Sequence, residues 1–142
     1  MDVTSIVIVI GAASSWMMAG VIWVVHLLHY PGFVFVEKSQ FADFHKFHTN
    51  KISIIVVPVM LIELFTTIYW VFFTQLPSVL TVGSLVIVLA IWLATFSLQV
   101  PLHNTLSKGY DRNKIDKLVS TNGIRAGLWS IKAILSLFVL WS

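Results

Sequence analysis

Four long apolar stretches alternate with short polar segments along the chain, covering residues 3–28, 52–73, 79–102 and 124–141. A helix needs about 20 mostly apolar residues to cross the ~30 Å hydrocarbon core of a bilayer, so each stretch is long enough to span it. The first stretch lacks the basic flank and the short apolar run of a signal peptide, which predicts a retained span. The pattern predicts one domain, an all-α integral membrane four-helix bundle with up-down topology, in contact with the lipid bilayer. No internal repeat is evident.

The basic residues fall on one side of this arrangement. The segments after the first and third spans share a face, and together with the start of the fourth span they carry all but one of the lysines and arginines: Lys38, Lys46, Lys51, Lys108, Arg112, Lys114, Lys117 and Arg125. By the positive-inside rule this face is cytoplasmic, and both termini of the multi-pass protein lie outside the cell inner membrane.

The two cytoplasmic segments have amphipathic patterns of their own. Residues 39–48 and 111–120 each predict a short interfacial helix in a cytoplasmic loop. The first of these either continues straight into the second span or ends at Thr49 and Asn50. Pro31 and Gly32 are expected to end the first helix, because proline lacks a backbone donor and glycine favours turns.

Composition narrows the function classes. The 142 residues are 58% hydrophobic and 11% charged, with a mean hydropathy of +0.91. A soluble domain cannot hide that much apolar surface. The formal net charge of +3 is spread over short loops beside the spans, so we expect no nucleic-acid partner. The absence of cysteine excludes disulfides, thiolate metal sites and cysteine nucleophiles.

Glu63 is the only acidic residue inside a span, and Lys132 is the only basic residue well inside one. At ~1.5 Å per residue they lie roughly 18 Å and 14 Å from the cytoplasmic ends of their helices, close enough in depth to meet. One interpretation is structural: an ion pair, or a protonated glutamic acid bonded to a neighbouring helix. The other is a catalytic pair that handles protons or orients a substrate, and we predict Glu63 and Lys132 as candidate catalytic residues.

All five histidines belong to the cytoplasmic side. They are His26, His29, His45, His48 and His103. Two pairs have i, i+3 spacing, which places both imidazoles on one helix face. Imidazole ligates iron, copper and zinc, so the group is a candidate site for a transition metal (Fe, Cu or Zn) or for haem. Structural, interfacial and acid–base roles are the alternatives. A cofactor that also reaches the depth of Glu63 has to be as long as a porphyrin.

The fourth span carries a polar stripe with helical spacing. Its members are Asn122, Arg125, Trp129, Lys132 and Ser136. Lipid cannot satisfy such a stripe, so we expect it to face the bundle interior. Near the cytoplasmic mouth, Arg125 with Asn104 and Asn122 is a candidate substrate-binding set, because arginine holds a carboxylate or a haem propionate by two hydrogen bonds. The alternative for Arg125 is snorkelling toward lipid phosphate.

Two short motifs carry a resemblance. Residues 100–106 read V-P-L-H-N-T-L and residues 121–130 read T-N-G-I-R-A-G-L-W-S. They resemble a family of small four-span membrane proteins that includes the anthrone-oxygenase-like proteins, in which a V-P-x-(N/H)-x-x-L turn follows span 3 and N-x-x-R opens span 4. The matching positions are Pro101, His103, Asn104, Asn122 and Arg125.

The first half, from His26 to Pro58-Val59-Met60, is similar in outline to four-span haem-binding protoporphyrinogen oxidases. Each resemblance implies oxidative chemistry on a flat polycyclic or tetrapyrrole molecule.

The sequence thus predicts an integral membrane oxidoreductase or oxygenase-like protein, with a histidine-rich, metal- or haem-binding site at the cytoplasmic face and a hydrophobic or polycyclic small molecule as its partner. Two alternatives stay open. One is a non-enzymatic subunit of a larger membrane complex. The other is a small proton-coupled carrier that acts as a homo-oligomer, with Glu63 as its proton site.

Overall fold

The computed structural model describes residues 2–142 and consists of four long helices joined by short turns. The helices are α1 (Val3–Phe35), α2 (Phe41–Phe73), α3 (Ser78–Leu106) and α4 (Arg112–Leu140). Each is long and apolar enough to cross a membrane, and no strand occurs among the described residues. The predicted all-α four-helix bundle is confirmed. The turns 36–40 and 107–111 lie at one end, which we call the histidine end.

Two aspartates begin helices by capping them. The carboxylate of Asp2 accepts a 2.8 Å hydrogen bond from the backbone N–H of Ser5, and this bond lowers the pKa of the exposed Asp2 carboxyl. Asp111 accepts in the same way from the N–H of Lys114 at 3.1 Å. A side chain that satisfies a free N–H in the first turn stabilises a helix start by about 1 kcal/mol. These two caps therefore define where α1 and α4 begin.

At the histidine end, the helices do not begin and end where the sequence predicted. Pro31 and Gly32 lie inside α1, which continues to Phe35, so the expectation that they end the helix is wrong. The interfacial helices predicted at 39–48 and 111–120 are the first turns of α2 and α4, not separate elements. Of the two alternatives for residues 39–48, continuation into the second span is the one that the structure adopts.

A π-helical segment interrupts α1 and another interrupts α3. They span Val25–His29 and Thr95–Gln99, and in each the backbone N–H bonds to the carbonyl five residues earlier. Both segments lie just ahead of a proline, Pro31 or Pro101, which has no N–H to donate and crowds the preceding turn. The extra residue in a π turn rotates everything beyond it relative to a straight α-helix. The inward-facing positions of both helices therefore change near the histidine end.

The two halves of the bundle repeat these landmarks at an interval of 70 residues. The π segments begin at 25 and 95 and the prolines stand at 31 and 101, while the starts of α2 and α4, at 41 and 112, are 71 residues apart. Buried positions recur at the same interval, as in Ser14 with Ser84 and His45 with Ile115. The bundle is therefore two consecutive helix hairpins of similar design. The repeat is not evident from the sequence because most paired positions carry different residues.

The four helices form a ring in which each packs on two neighbours, but the two contacts between the hairpins differ. α1 and α4 pack closely, whereas α2 and α3 share the smallest interface of the ring. Small residues of α4 let α1 approach: the ring of His26 lies 3.3 Å from where a Cβ of Gly123 would be, and Trp23 Nε1 donates to Ser130 Oγ at 2.9 Å. The positions in α2 that correspond to Ala126 and Ser130 carry the larger side chains of Val56 and Met60, and there the interface with α3 is smaller.

Candidate ligand-binding site

A cavity of about 270 Å³ lies at this looser interface between α2 and α3. Its walls are mostly apolar and include Val56, Met60 and Trp92. Ser53, Val57, Phe96 and Val100 form its outer edge and are exposed on the surface of the bundle. The cavity therefore opens sideways through the apolar surface. Its volume is just below the range for small-molecule sites, which is about 300–1,000 Å³.

The deep end of the cavity is polar, in contrast to its walls. Four hydrogen-bonding side chains line it there: Tyr30, Gln99, His103 and Arg125. Tyr30, Gln99 and Arg125 are each no more than 5% exposed. The π segments explain this convergence, because Tyr30 follows the one in α1 and Gln99 ends the one in α3. The cavity thus combines an apolar passage with a cationic and hydrogen-bonding end, and no acidic residue lines it.

Arg125 is held in place by its own helix and keeps donors for another group. Its Nη1 donates to Asn122 Oδ1 at 3.2 Å, and its Cζ lies 5.0 Å from the centre of the Trp129 ring. The Tyr30 phenol lies next to the guanidinium. Arg125 Nε and Gln99 Oε1 are buried and have no hydrogen-bond partner among residues 2–142. Since buried polar groups are nearly always paired, these atoms are suited to a bound ligand.

A chain of hydrogen bonds leads away from the cavity into a group of histidines. The Tyr30 hydroxyl and His103 Nε2 are 2.9 Å apart, and His103 Nδ1 and His45 Nε2 are also 2.9 Å apart. A neutral imidazole has one donor and one acceptor nitrogen. If the Tyr30 hydroxyl donates to His103 Nε2, then His103 Nδ1 carries the other proton and donates to His45 Nε2. A proton can therefore pass from Tyr30 through His103 to His45. This is the arrangement of a proton relay.

His29 and His48 complete the group, and His26 lies apart from it. The rings of His29 and His48 are 4.2 Å apart between centres, and His48 lies 6.2 Å from His103. The Nε2 atoms of His29 and His48 are buried and without a hydrogen-bond partner in the described chain. His26 packs instead between Trp23 and Gly123, because the π turn rotates the inner face of α1 past it.

Within residues 2–142, the histidines do not form a three-ligand metal site with one another or with the nearby acids. Among the residues that the structure describes, no three or more histidine, aspartate or glutamate side chains are placed so that they could hold one ion. Glu37 and Asp43, the nearest acids in sequence, are exposed, and Glu37 accepts from Ser39 instead. Metal and haem binding by the five histidines therefore stay predictions from the sequence.

Aromatic side chains cover the histidines on the side of the turns. Phe33 contacts His45 and His48 edge-on, with ring centres 5.8 Å and 5.3 Å apart, and Phe41 stacks on His45. Tyr110, from the turn before α4, packs edge-on against Phe41. His45 is 1% exposed and His48 is 5% exposed. The relay is therefore shielded from the solvent at the histidine end.

The predicted catalytic pair lies deeper in the bundle, and its members do not bond to each other. Glu63 and Lys132 are 1% and 0% exposed, but no ion pair joins them in the described part of the chain. Glu63 Oε2 accepts from Trp129 Nε1 at 2.9 Å. Lys132 Nζ donates to Ser15 Oγ at 3.2 Å and lies 4.4 Å from the centre of the Trp70 ring. Glu63 therefore bonds to an indole, and Lys132 contacts a hydroxyl and an aromatic face, in place of the opposite charge.

The sequence-predicted substrate-binding residues are only partly brought together. Arg125 lines the cavity, and Asn122 supports it. Asn104 is exposed and does not line the cavity. Sequence reasoning missed Tyr30, which follows His29 directly and precedes a proline. Gln99 is also absent from the predicted site, because its place at the cavity depends on the π segment that it ends.

No protein-family model, curated protein or solved structure matches the chain. The resemblance to anthrone-oxygenase-like proteins therefore stays a prediction, and the functional conclusion depends on the site itself.

Proposed function

We propose that this chain is an integral membrane protein that binds an apolar molecule carrying an anionic or carbonyl oxygen and transfers a proton to or from it. The observation that supports this most is the sideways cavity between α2 and α3, apolar along its walls and lined at its deep end by Tyr30, Gln99, His103 and Arg125. Four helices of sufficient length and apolar character support insertion in a bilayer. In that setting the opening faces lipid, and the ligand reaches the site from the membrane.

The charges at the deep end favour an oxygen-bearing, electron-rich ligand group. Arg125 is the cationic residue of the cavity, and Tyr30 beside it is a hydrogen-bond donor. A guanidinium away from water binds a carboxylate, phenolate or enolate oxygen strongly, because its donors match the geometry of such groups. An amine ligand would meet a like charge there without a compensating acid. The ligand class is therefore an apolar chain or ring system that ends in an oxygen anion or a carbonyl.

The hydrogen-bonded series Tyr30–His103–His45 gives the site its chemistry. A proton that leaves the ligand at Tyr30 or His103 is passed on to His45, 2.9 Å farther along, while Arg125 stabilises the negative charge that remains. General acid–base catalysis of this kind contributes about 10²–10⁴-fold to rate. Removal of a proton from a phenol or from a carbon beside a carbonyl fits this arrangement, and it is the step of the predicted oxidoreductase that these residues provide.

Binding of a charged probe tests the proposal. The chain is purified, placed in lipid nanodiscs and titrated with dodecanoate brominated at mid-chain, and quenching of Trp92 in the cavity wall reports occupancy. The matching brominated dodecanol is the neutral control. Arg125→Gln is expected to weaken dodecanoate binding about tenfold or more, since a hydrogen bond to a charged group contributes about 1.5–3 kcal/mol. Dodecanol binding should be unaffected by Arg125→Gln.

Arg112→Gln is the matched control, because Arg112 is an exposed arginine of the same helix that does not line the cavity. Trp92→Phe should remove the quenching and so locate the probe. Equal dodecanoate affinity in the original chain and in Arg125→Gln would contradict the proposal.

The sideways route has its own test. Val57→Trp places an indole at the outer edge of the cavity and is expected to lower the affinity for both probes at least about tenfold by filling the opening. Ile54→Trp is the control, since Ile54 is 68% exposed on the same helix but does not line the cavity. Unchanged binding in Val57→Trp would mean that the ligand does not use this opening.

A second candidate is a cofactor protein whose histidines hold haem or a transition metal. The observation that favours it is the pair His29 and His48, whose rings are 4.2 Å apart and whose Nε2 atoms have no partner among the described residues. It predicts a Soret band, or about one equivalent of iron, copper or zinc in the purified protein, that is lost in His48→Ala. A colourless, metal-free sample that still binds dodecanoate would leave only the first candidate.

A further inference from the structure

Glu63 is connected to the cavity through one indole ring. Trp129 is fully buried; its Nε1 donates to Glu63 Oε2 at 2.9 Å, and the guanidinium of Arg125 lies over its ring at 5.0 Å. We propose that Glu63 is a positioning residue that sets the Arg125 guanidinium for ligand binding through Trp129. The inference rests on the proposed function, because it takes Arg125 as the group that binds the ligand oxygen.

The single hydrogen bond of the Trp129 indole determines how its ring is oriented beneath Arg125. Arg125 and Trp129 are four residues apart on α4, so their side chains are stacked neighbours on one helix face. The indole has a single donor, and a bond from it to α2 fixes the rotation of the ring about its side-chain bonds. The face on which the guanidinium rests is therefore oriented by Glu63. Replacing Glu63 in α2 would therefore move the Arg125 guanidinium at the deep end of the cavity.

The carboxylate also strengthens the contact electrostatically. A cation is attracted to the negative face of an aromatic ring, most strongly to that of tryptophan. When the N–H of the ring donates to a carboxylate, the ring is polarised and its face becomes more negative, since linked hydrogen bonds in a low-dielectric interior reinforce one another. Glu63 thus acts on Arg125 without touching it. Its other oxygen, Oε1, has no hydrogen-bond partner within residues 2–142.

Three variants of the full chain in nanodiscs test the inference with the brominated dodecanoate and dodecanol probes. Trp129→Phe keeps a ring of similar shape and loses the N–H. Glu63→Leu removes the acceptor, and Glu63→Gln keeps an acceptor oxygen for Trp129. We expect Trp129→Phe and Glu63→Leu each to weaken dodecanoate binding about fivefold, because the ring under the guanidinium is then no longer oriented and polarised by the carboxylate. The dodecanoate affinity of Glu63→Gln should stay within about twofold of that of the original chain.

The double variant Glu63→Leu/Trp129→Phe should be no weaker than either single variant, since both act through one contact. Dodecanol affinity should stay constant throughout. If Glu63→Leu fails to fold by circular dichroism, Trp129→Phe and Glu63→Gln still decide the matter.

Each contrary result has a separate meaning. Normal dodecanoate binding by Trp129→Phe, with loss of binding in Arg125→Gln, would overturn the role of Glu63 and leave the proposed function intact. Equal weakening of dodecanoate and dodecanol would show that the series only maintains cavity shape, which also overturns the inference. No effect of Arg125→Gln would remove the proposed function itself.

Discussion

At the scale of single residues, the bundle accommodates a lysine in its core without a direct counter-ion. Lys132 Nζ contacts Ser15 Oγ and the face of Trp70, and its side chain is fully buried. A charge at the centre of a membrane costs about 2.5–3.5 kcal/mol or more. A hydroxyl and an aromatic face offset only part of that cost. Ser15 has a second contact, since its hydroxyl also donates to the Gly11 carbonyl at 3.0 Å.

Replacing this lysine separates two interpretations of the core. Lys132→Met has a similar volume and removes the desolvated charge, so we expect the free energy of unfolding to rise by about 1 kcal/mol. Thermal unfolding in detergent measures the change, and Lys117→Met, at an exposed position of α4, is the control. A loss of about 3 kcal/mol or more is typical of breaking a buried ion pair and would show that Lys132 and Glu63 do pair.

The site residues differ in how far the sequence reveals them. Arg125 and Asn122 are predictable, because a polar stripe on an apolar helix has to face inward, and all five members of that stripe are buried. Their partners are not predictable in the same way. The carboxylate of Glu63 was expected to approach Lys132 from its depth alone, yet it bonds to Trp129, because rotation about the helix axis decides which side chain it meets.

At the scale of the elements, the π segments determine which residues reach the cavity. In α1 the positions Ala12, Ser15, Ala19 and Ile22 follow an ordinary helical period and are buried. Beyond Val25 the period changes: Tyr30 is buried, whereas His26 and His29, which continue the earlier period, are only half-buried. One additional residue per π turn accounts for the shift. Helical spacing read from the sequence cannot include such a turn, because it assumes a constant rotation per residue.

At the end of the bundle opposite the histidine end, the close packing of α1 on α2 depends on a small residue. A Cβ at Gly11 would lie 2.5 Å from Trp70 Cζ2 and 2.8 Å from Thr66 Oγ1, so α1 approaches α2 only because this position has no side chain. Gly11→Ala is expected to lower the thermal midpoint, since the fully buried Trp70 has to move.

Gly127→Ala is the matched control in α4. No atom lies within 4 Å of its would-be Cβ, so this change should stabilise the chain by up to about 1 kcal/mol through helix propensity alone. Both variants gain that propensity term, and the difference between their midpoints isolates the steric cost. Equal midpoints would show that α1 and α2 are not packed this closely at Gly11.

At the scale of the whole molecule, the distribution of basic residues predicts orientation. Every lysine and arginine except Lys132 lies at or near the histidine end, and the turn 74–77 at the other end has none. From the positive-inside rule we expect the histidine end to lie in the cytoplasm. The chain has no cysteine, so single introduced cysteines can report the side of each turn without background labelling.

We expect Gln75→Cys to react with a membrane-impermeant maleimide in intact cells and Ser39→Cys to react only after the cells are opened. Both positions are exposed and lie in opposite turns of the bundle. The reverse pattern would invert the orientation. Labelling of both in intact cells would contradict a bundle that crosses the membrane.

The sequence by itself determined the class of structure and the number of helices. Apolar stretches of this length, separated by polar turns, leave a helical bundle as the only way to satisfy the backbone in lipid. It also determined the inward face of α4 and the gathering of histidines near one end. These features depend on local composition and on helical period, which are properties of consecutive residues.

Only the tertiary structure decided where a ligand can bind. The cavity exists because α2 and α3 stand farther apart than the corresponding pair, α1 and α4, and that difference arises from side-chain volumes on two separate helices at once. The relay Tyr30–His103–His45 likewise joins three helices. Contacts between distant segments depend on helix rotation and separation, and neither quantity is encoded in the spacing along one stretch of chain.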